Sequence, residues 1–302
     1  MGRFANKKHK PSAQVQRGLL HQLAFLSPAL IVLITVNIVP VFYTIVTSCQ
    51  SLHLAYPGRN RFIGLANYVS VFQDSRFWNS LWLTVTYVAG CLTIELVLGF
   101  CIALLLAKQT KGVGFIRGIL LLPIFLTPIV VAFLWRLLFS PSLGLLNYFL
   151  AFFGLGPYEW IYSPQQALPS LILIDIWQRT PELVLIIFTG LLAISDDVIE
   201  AARVDGASPW KLFWTIKVPL LKPILMVGVL FRVIDLSKVF DVIYILTRGG
   251  PGISTETLSL YTYTMGFSFL RMGYASALGM VLFGIIMALS LIIMRWGEVD
   301  FK

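Results

Sequence analysis

The chain has 302 residues, 58% of them hydrophobic and only 12% charged, with a formal net charge of +9 and a mean hydropathy of +0.84. A soluble domain carries about a quarter charged residues, so an ordinary water-facing surface is excluded and lipid must cover much of this one. The positive balance does not indicate nucleic acid, because no basic stripe is interleaved with exposed aromatics.

Residues 1–20 read as a polar, basic cytoplasmic tail with Lys7, Lys8, Lys10 and Arg17. From Gly18 to Gly58 there is no Asp, Glu, Lys or Arg. About 20 apolar residues cross the hydrocarbon core, which predicts span 1 over 22–48. The run is long and begins late, so it reads as an anchor and not as a cleaved secretory signal. Span 2 is predicted over 78–107, with the single acid Glu95 as a buried hydrogen-bonding partner. Span 3 covers 116–138 and is uncharged from Gly118 to Trp135. Span 4 (168–192) contains Asp175, Arg179 and Glu182, and span 5 (220–247) contains Arg232, Asp235, Lys238 and Asp241. Span 6 covers 272–294 and is uncharged from Met272 to Met294.

Six spans alternate the basic flanks correctly. Lys108, Lys111 and Arg117 follow span 2; Arg203, Lys211, Lys217 and Lys222 lie between spans 4 and 5; Arg295 and Lys302 follow span 6. The positive-inside rule then places both termini and the loops near 108–115 and 193–219 in the cytoplasm. The segments near 49–77, 139–167 and 248–271 face outward. They carry Arg59, Arg61, Arg76, Arg248 and Arg271, so the bias is not strict. The aromatic stretches Phe62–Tyr68 and Phe77–Leu81 read as surface-lying helices capping the bundle, and Tyr158, Trp160 and Tyr162 as an interfacial belt.

The cysteines Cys49, Cys91 and Cys101 form no C-x-x-C pair, and His9, His21 and His53 are scattered, so neither a disulfide framework nor a metal site is predicted. There is no Walker-type G-x-x-x-x-G-K-[ST] sequence and no H-E-x-x-H. The chain therefore reads as neither a nucleotide-binding subunit nor an intramembrane metalloenzyme.

The loop 193–219 is a charged, small-residue island between two apolar segments. Ser195, Asp196 and Asp197 supply a cap and negative charge at a helix start. Gly206 is a C-terminal stop. Ser208 caps a second helix with Pro209 at its first position. Ala201, Ala202 and Gly206 let another protein surface approach the backbone, and Glu200 adds one fixed charge. Glu200-Ala201-Ala202, three residues, Gly206, nine residues, then Ile216 and Pro219 resembles the E-A-A, G, I-x-L-P signature of the permease subunits of bacterial ABC importers. Val218 stands where that family has Leu.

The resemblance implies an all-α polytopic membrane protein with the type I ABC importer permease fold. Its six-span domain would run over 21–296, with a short cytoplasmic tail at 297–302. Glu200, Ala201, Ala202, Asp205, Gly206, Ala207, Ser208, Ile216 and Pro219 would couple the chain to a cytoplasmic ATPase. The chain itself would bind no cofactor; ATP and magnesium would belong to two ATPase subunits. A second permease subunit, an extracytoplasmic solute-binding protein and the bacterial inner membrane complete the implied setting.

A second resemblance narrows the class. Leu246-Thr247-Arg248-Gly249-Gly250-Pro251-Gly252, then Thr255-Glu256-Thr257-Leu258 and Tyr261, is similar to the L-T-x-G-G-P segment of carbohydrate-importer permeases, as are Asn67-Tyr68 and Gly144-Leu145-Leu146-Asn147. This group, the first permease subunit of the maltose, trehalose and glycerol-3-phosphate type, implies a sugar or related polyol as cargo.

Ionisable groups inside a span cost about 2.5–3.5 kcal/mol each at the centre on insertion scales, so they mark a pathway or a buried pair. The span-5 charges are spaced by three, and each step of three slips by about 60° on a regular helix. Arg232 is expected beside Asp235 and Lys238 beside Asp241, with Arg232 and Asp241 on opposite faces, so the four are not expected to share one narrow pore. In span 4, Asp175, Trp177, Gln178, Arg179 and Pro181 combine an aromatic face and an amide with a helix breaker, a usual way to build a midplane site. The predicted pathway residues are Trp177, Gln178, Arg179, Asp235, Lys238, Asp241 and Tyr244. Each is open to either role, pathway contact or structural ion pair. A stand-alone, ion-coupled secondary transporter is the competing class; it leaves the 193–219 island without a task.

Overall fold

The computed structural model describes residues 25–56, 58, 60–108 and 112–297. The predicted tail 1–20 and residues 298–302 of the other tail lie outside the described residues, as do Arg59 and Lys111. Within them the chain is helical and has no strand, only an isolated bridge between Gln50 and Phe62.

Helix α1 is Phe25–Ser48, and no residue of its most apolar stretch is buried by the rest of the chain. Its apolar side chains therefore face lipid or another subunit. After α2 (Ala66–Gln73), the 34-residue α3 runs from Ser75 to Lys108. Phe77–Leu81, expected as a surface-lying helix, instead forms the first turns of α3.

Span 3 departs from one straight helix. It divides into α4 (Val113–Leu121), a 3₁₀ turn to Phe125, and α5 (Pro128–Leu138), and the two arms meet at 96°. Pro123 and Pro128 lack the N–H groups that would continue the ladder, and Thr127 before Pro128 is extended, with ψ 150°, as pre-proline residues prefer.

After α6 (Leu145–Ala151), α7 (Pro164–Leu192) covers span 4. It runs unbroken through Pro169 and Pro181, so the expected break at Pro181 does not occur. A membrane helix tolerates proline where neighbours and local adjustments satisfy the freed carbonyl. The break falls instead in span 5. Helix α10 (Val218–Ser237) stops, Lys238 to Phe240 are irregular, and a short α11 (Asp241–Leu246) follows. Asp241 sits in the first turn of α11, where the helix dipole favours an acid. At its other end Arg136 of α5 donates from Nη2 to the carbonyls of Ile245 (2.8 Å) and Leu246 (3.2 Å).

Between α7 and α10 lie two short helices, α8 (Asp196–Val204) and α9 (Pro209–Leu212). The chain closes with α12 (Leu258–Tyr263) and α13 (Met272–Gly297). By length and hydropathy alone α1, α3 and α13 qualify as crossings, with the bent α4–α5 pair as a fourth. Helices α7 and α10 are 29 and 20 residues long but carry the predicted charges.

The most extensive packing joins α3 to α7; α10 contacts both, and α13 packs on α10 and α1. One apolar cluster gathers Tyr87, Cys91, Trp135, Phe139, Ile174 and Leu236. A second holds Ala103, Val184, Ile187, Phe188, Leu221 and Leu225 toward the other end of the same helices. A third ties α2 and the start of α3 to α12 and α13.

Helix α13 meets the chain after α1 at close range. A Cβ on Gly273 would fall 2.0 Å from the Gln50 carbonyl oxygen. Gly273→Ala is therefore expected to cost about 1–3 kcal/mol, read as a lower unfolding temperature in detergent. Gly284→Ala, on the same helix with nothing within 4 Å, should leave that temperature unchanged or raise it slightly.

Candidate coupling and translocation sites

The 193–219 loop folds as its capping residues dictate. Ser195 Oγ accepts from Asp197 N at the start of α8, with Asp196 and Asp197 in its first turn. Gly206 takes φ +80°, the left-handed conformation that glycine adopts without strain. Gly206 N donates to Arg203 O and Ala207 N to Ala202 O, a Schellman closure. Ser208 Oγ then accepts from Lys211 N with Pro209 in the first position of α9. Glu200, Ala201, Asp205, Gly206, Ser208 and Pro219 are exposed; Ala207 and Ile216 are half-buried, and only Ala202 turns inward. Val204, at 87% exposure, adds an apolar contact point beside Glu200.

A cavity of about 200 Å³ opens where α7, the α10–α11 break and Pro128 meet. Gln178, Arg179, Asp235, Lys238 and Asp241, five of the predicted pathway residues, border it, together with Asp175 and Arg232. Trp177 and Tyr244 do not. Trp177 packs edge-on against Trp135 (5.6 Å between centroids), and Tyr244 stacks on Phe240 (5.1 Å). All four span-5 charges border this opening, Arg232 from within a buried interhelical ion pair and Asp235 and Lys238 as a pair of their own. The regular 100° step that sets Arg232 and Asp241 on opposite faces holds only along a continuous helix, and here the helix is interrupted at Lys238–Phe240.

The pairings also differ from the expected ones. Arg232 does not pair with Asp235. Its Nε donates to Glu95 Oε2 (2.9 Å) and its Nη2 to Glu95 Oε1 (2.7 Å) and Asp175 Oδ2 (2.6 Å). Glu95 is the buried partner that its isolation in span 2 predicted. Asp235 pairs instead with Lys238 (2.9 Å), and both remain well exposed. Arg179 and Glu182 approach only to 3.9 Å. Asp241 forms no ion pair among the described residues and is exposed. Gln178 has a structural task as well: its Nε2 donates to Leu126 O (3.1 Å) at the bend between α4 and α5.

The motif residues between the long helices act as staples. Asn67 Nδ2 donates to the carbonyls of Ser48 (2.8 Å) and Gln50 (2.9 Å). Asn147 donates to Pro141 O and Tyr158 O and accepts from Tyr158 N and Trp160 Nε1. Thr255 Oγ1 donates to Gly250 O (2.8 Å), and Glu256, almost fully buried, receives a two-pronged contact from Arg76 (2.7 and 2.8 Å). Tyr261 and Tyr274 both donate to Asp74 Oδ2. Among the described residues no three His, Cys, Asp or Glu side chains come together in a way that could hold a metal ion.

Comparison with known proteins agrees with this architecture. The chain matches a bacterial alginate ABC transporter, solved with an alginate pentasaccharide-bound periplasmic protein, at a TM-score of 0.81 over 95% of this chain and 97% of the other, with 23% identity. The fold is thus that of a type I ABC importer permease. Residues 95–297 match the family described as binding-protein-dependent transport system inner membrane component, and the chain belongs to that family. It is 35% identical over 273 residues to the trehalose/maltose transport system permease protein MalF of Thermococcus litoralis, covering 90% of this chain and 91% of the relative. It is 32% identical over 279 residues to the trehalose transport system permease protein SugA of Mycobacterium tuberculosis, covering 91% and 88%. As a multi-pass inner-membrane component it is a non-catalytic subunit and binds no cofactor of its own.

Arg232 is buried between two carboxylates, so removing it strands both. Arg232→Met is expected to lower stability by about 3–5 kcal/mol. Replacing the whole set (Glu95→Leu, Asp175→Leu, Arg232→Met) should recover most of that loss, because no unpaired charge remains. Thermal unfolding of the purified subunits separates the two; equal losses would mean that packing, not pairing, sets the cost.

Proposed function

We propose that this chain is the transmembrane subunit of an ATP-driven sugar importer and forms half of its translocation pathway. It crosses the membrane six times, with α7 and α10 as the fourth and fifth crossings and both termini in the cytoplasm. Its six-span domain covers 21–296. The partners are a second, related permease, two ATPase subunits that bind ATP and magnesium, and an extracytoplasmic solute-binding protein.

One observation carries the coupling role: α8 and α9 form a capped, two-helix projection that presents Glu200, Ala201, Asp205, Gly206 and Ser208 to its surroundings. It lies on the side marked by Arg203, Lys211, Lys217 and Lys222. A rigid knob of this kind seats in a groove on an ATPase and passes its closure to α10, which continues the same segment into the membrane. A secondary transporter driven by an ion gradient has no use for such a projection.

The cavity supports a polar, uncharged cargo. Three carboxylates, Asp175, Asp235 and Asp241, stand against three cations, Arg179, Arg232 and Lys238, so the lining is balanced. Balanced hydrogen-bonding groups beside Phe240 suit a polyhydroxylated solute. The names of the relatives, trehalose/maltose and trehalose transport permeases, point the same way.

The double substitution Glu200→Lys, Gly206→Trp reverses the charge at Glu200 and fills the smooth surface. Like-charge juxtaposition and a steric clash together cost several kcal/mol, at about tenfold per 1.4 kcal/mol. ATPase co-purification and uptake are both expected to fall to background. Normal values of both would remove the docking role. Within the cavity, Asp241→Ala should leave ATPase co-purification intact while reducing uptake, measured with a panel of labelled sugars on the reconstituted complex.

A further inference from the structure

On the coupling side a second opening, with a volume of about 840 Å³, lies beside the last turns of α3 and the stretch from α9 to Lys217, which touch each other through an edge-on contact of Phe100 with Phe213 (5.6 Å between centroids). Phe100, Cys101 and Leu104 of α3 form one wall, and Trp210, Leu212 and Phe213 form the other. Lys108, Arg203 and Lys217 also line it, and no carboxylate does. Lys108 lies eight residues beyond Phe100 along α3, about 12 Å at 1.5 Å per residue. The groove thus runs from a cationic mouth at the end of the span into an apolar trough at hydrocarbon depth.

The mouth carries three cations. None of the three cations forms an ion pair among the described residues. Asp196 and Glu200 share an adjoining cavity with Lys108, Arg203 and Lys217 but do not come within ion-pair distance of them. Burial, and after it the neighbouring Arg203 and Lys108, hold the Lys217 ammonium below its ordinary pKa. Trp210 and Trp214 flank the mouth at 71% and 51% exposure, and tryptophan sits by preference at headgroup level.

We infer that this groove holds one anionic phospholipid of the inner leaflet. Its phosphate lies against Lys108, Arg203 and Lys217, and one acyl chain lies along Phe100, Cys101 and Leu104. Apolar depth alone would accept any lipid or a partner helix; three cations that form no ion pair among the described residues, in a groove whose own lining has no carboxylate, select an anionic headgroup. A lipid in this place bridges α3 to the coupling projection. The inference goes beyond the transport reading and takes from it only that the projection faces the inner leaflet.

The complete transporter complex, purified and placed in nanodiscs, tests this directly. Cys101 lines the trough and is exposed, whereas Cys91 is buried, so peptide-level mass spectrometry of N-ethylmaleimide labelling reads occupancy. Cys101 is expected to label several-fold more slowly in phosphatidylglycerol than in phosphatidylcholine discs, and inorganic phosphate added to the latter should give no protection. Native mass spectrometry should find one retained phosphatidylglycerol per copy of this chain. The Lys108→Gln, Lys217→Gln variant should lose it, at about fivefold in affinity per cation and roughly thirtyfold together. The charge-matched Lys222→Gln, Arg295→Gln variant should keep it. Equal loss in both variants would reduce the effect to general surface charge and overturn the site. Cys101 protection independent of lipid would make the groove a protein interface and overturn it equally.

Discussion

Arg232 joins three helices through two carboxylates, Glu95 on α3 and Asp175 on α7, and the bundle is organised around that junction. Each of these charges would be costly alone in the hydrocarbon region. Together they satisfy one another, and the geometry leaves no freedom of register. A slip of one residue along α10 would rotate Arg232 by about 100° away from both partners. The junction also lies between two apolar clusters. In one cluster Tyr87, Cys91 and Ile174 precede Glu95 and Asp175 on their helices while Leu236 follows Arg232; in the other Ala103 and Val184 follow those acids while Leu225 precedes Arg232. Burying an ion pair is weak evidence for stability in itself. Its effect here is to specify which faces of α3, α7 and α10 meet.

What lies on either side of the junction differs in stiffness. From Val218 to Ser237, α10 is one continuous helix, joined to α9 by the π-helical turn Phe213–Lys217. Beyond Ser237 it breaks, and the cavity opens at the break. On the proposed reading, a push on the projection is delivered along the continuous part and appears as movement at the interrupted part. The junction is then the fixed point between them, with Asp175 and Arg232 forming part of the cavity wall. Arg136 and Gln178 complete this arrangement from α5 and α7. Arg136 holds the short α11 by its terminal carbonyls, and Gln178 holds the bend before α5 through Leu126.

Several of these features are legible in the residues and others are not, for reasons that are local in the first case and interhelical in the second. Ser195, Gly206, Ser208 and Pro209 act through their own neighbours within four residues, and the two-helix projection follows from them directly. The long uncharged runs of α1, α3 and α13 are equally local. The pairing of Arg232 with Glu95 is not, because 137 positions separate the partners, and a single sequence offers Asp235 as the nearer candidate. The residues point to a helix break at Pro181, yet it lies at Lys238–Phe240, where no proline stands. Proline reports a missing donor; it does not report whether the surrounding helices supply the adjustments that keep the helix going. The L-T-x-G-G-P segment and the two asparagines Asn67 and Asn147 mark the family, yet their side chains are occupied in fixing outer loops.

That occupation bears on where selectivity lies. Motif residues committed to backbone carbonyls have few atoms left for a passing solute. Exposed polar groups stand elsewhere: Asp241 at the start of α11, in no ion pair among the described residues, and the Asp235–Lys238 pair at the end of α10. A regular helix would have spread these charges around its circumference, since steps of three residues drift by about 60° each. The interruption gathers them at one opening instead. On the proposed reading, the break sets these groups around one opening where a polar solute can meet them, with Asp235 and Lys238 reaching it while still paired with each other.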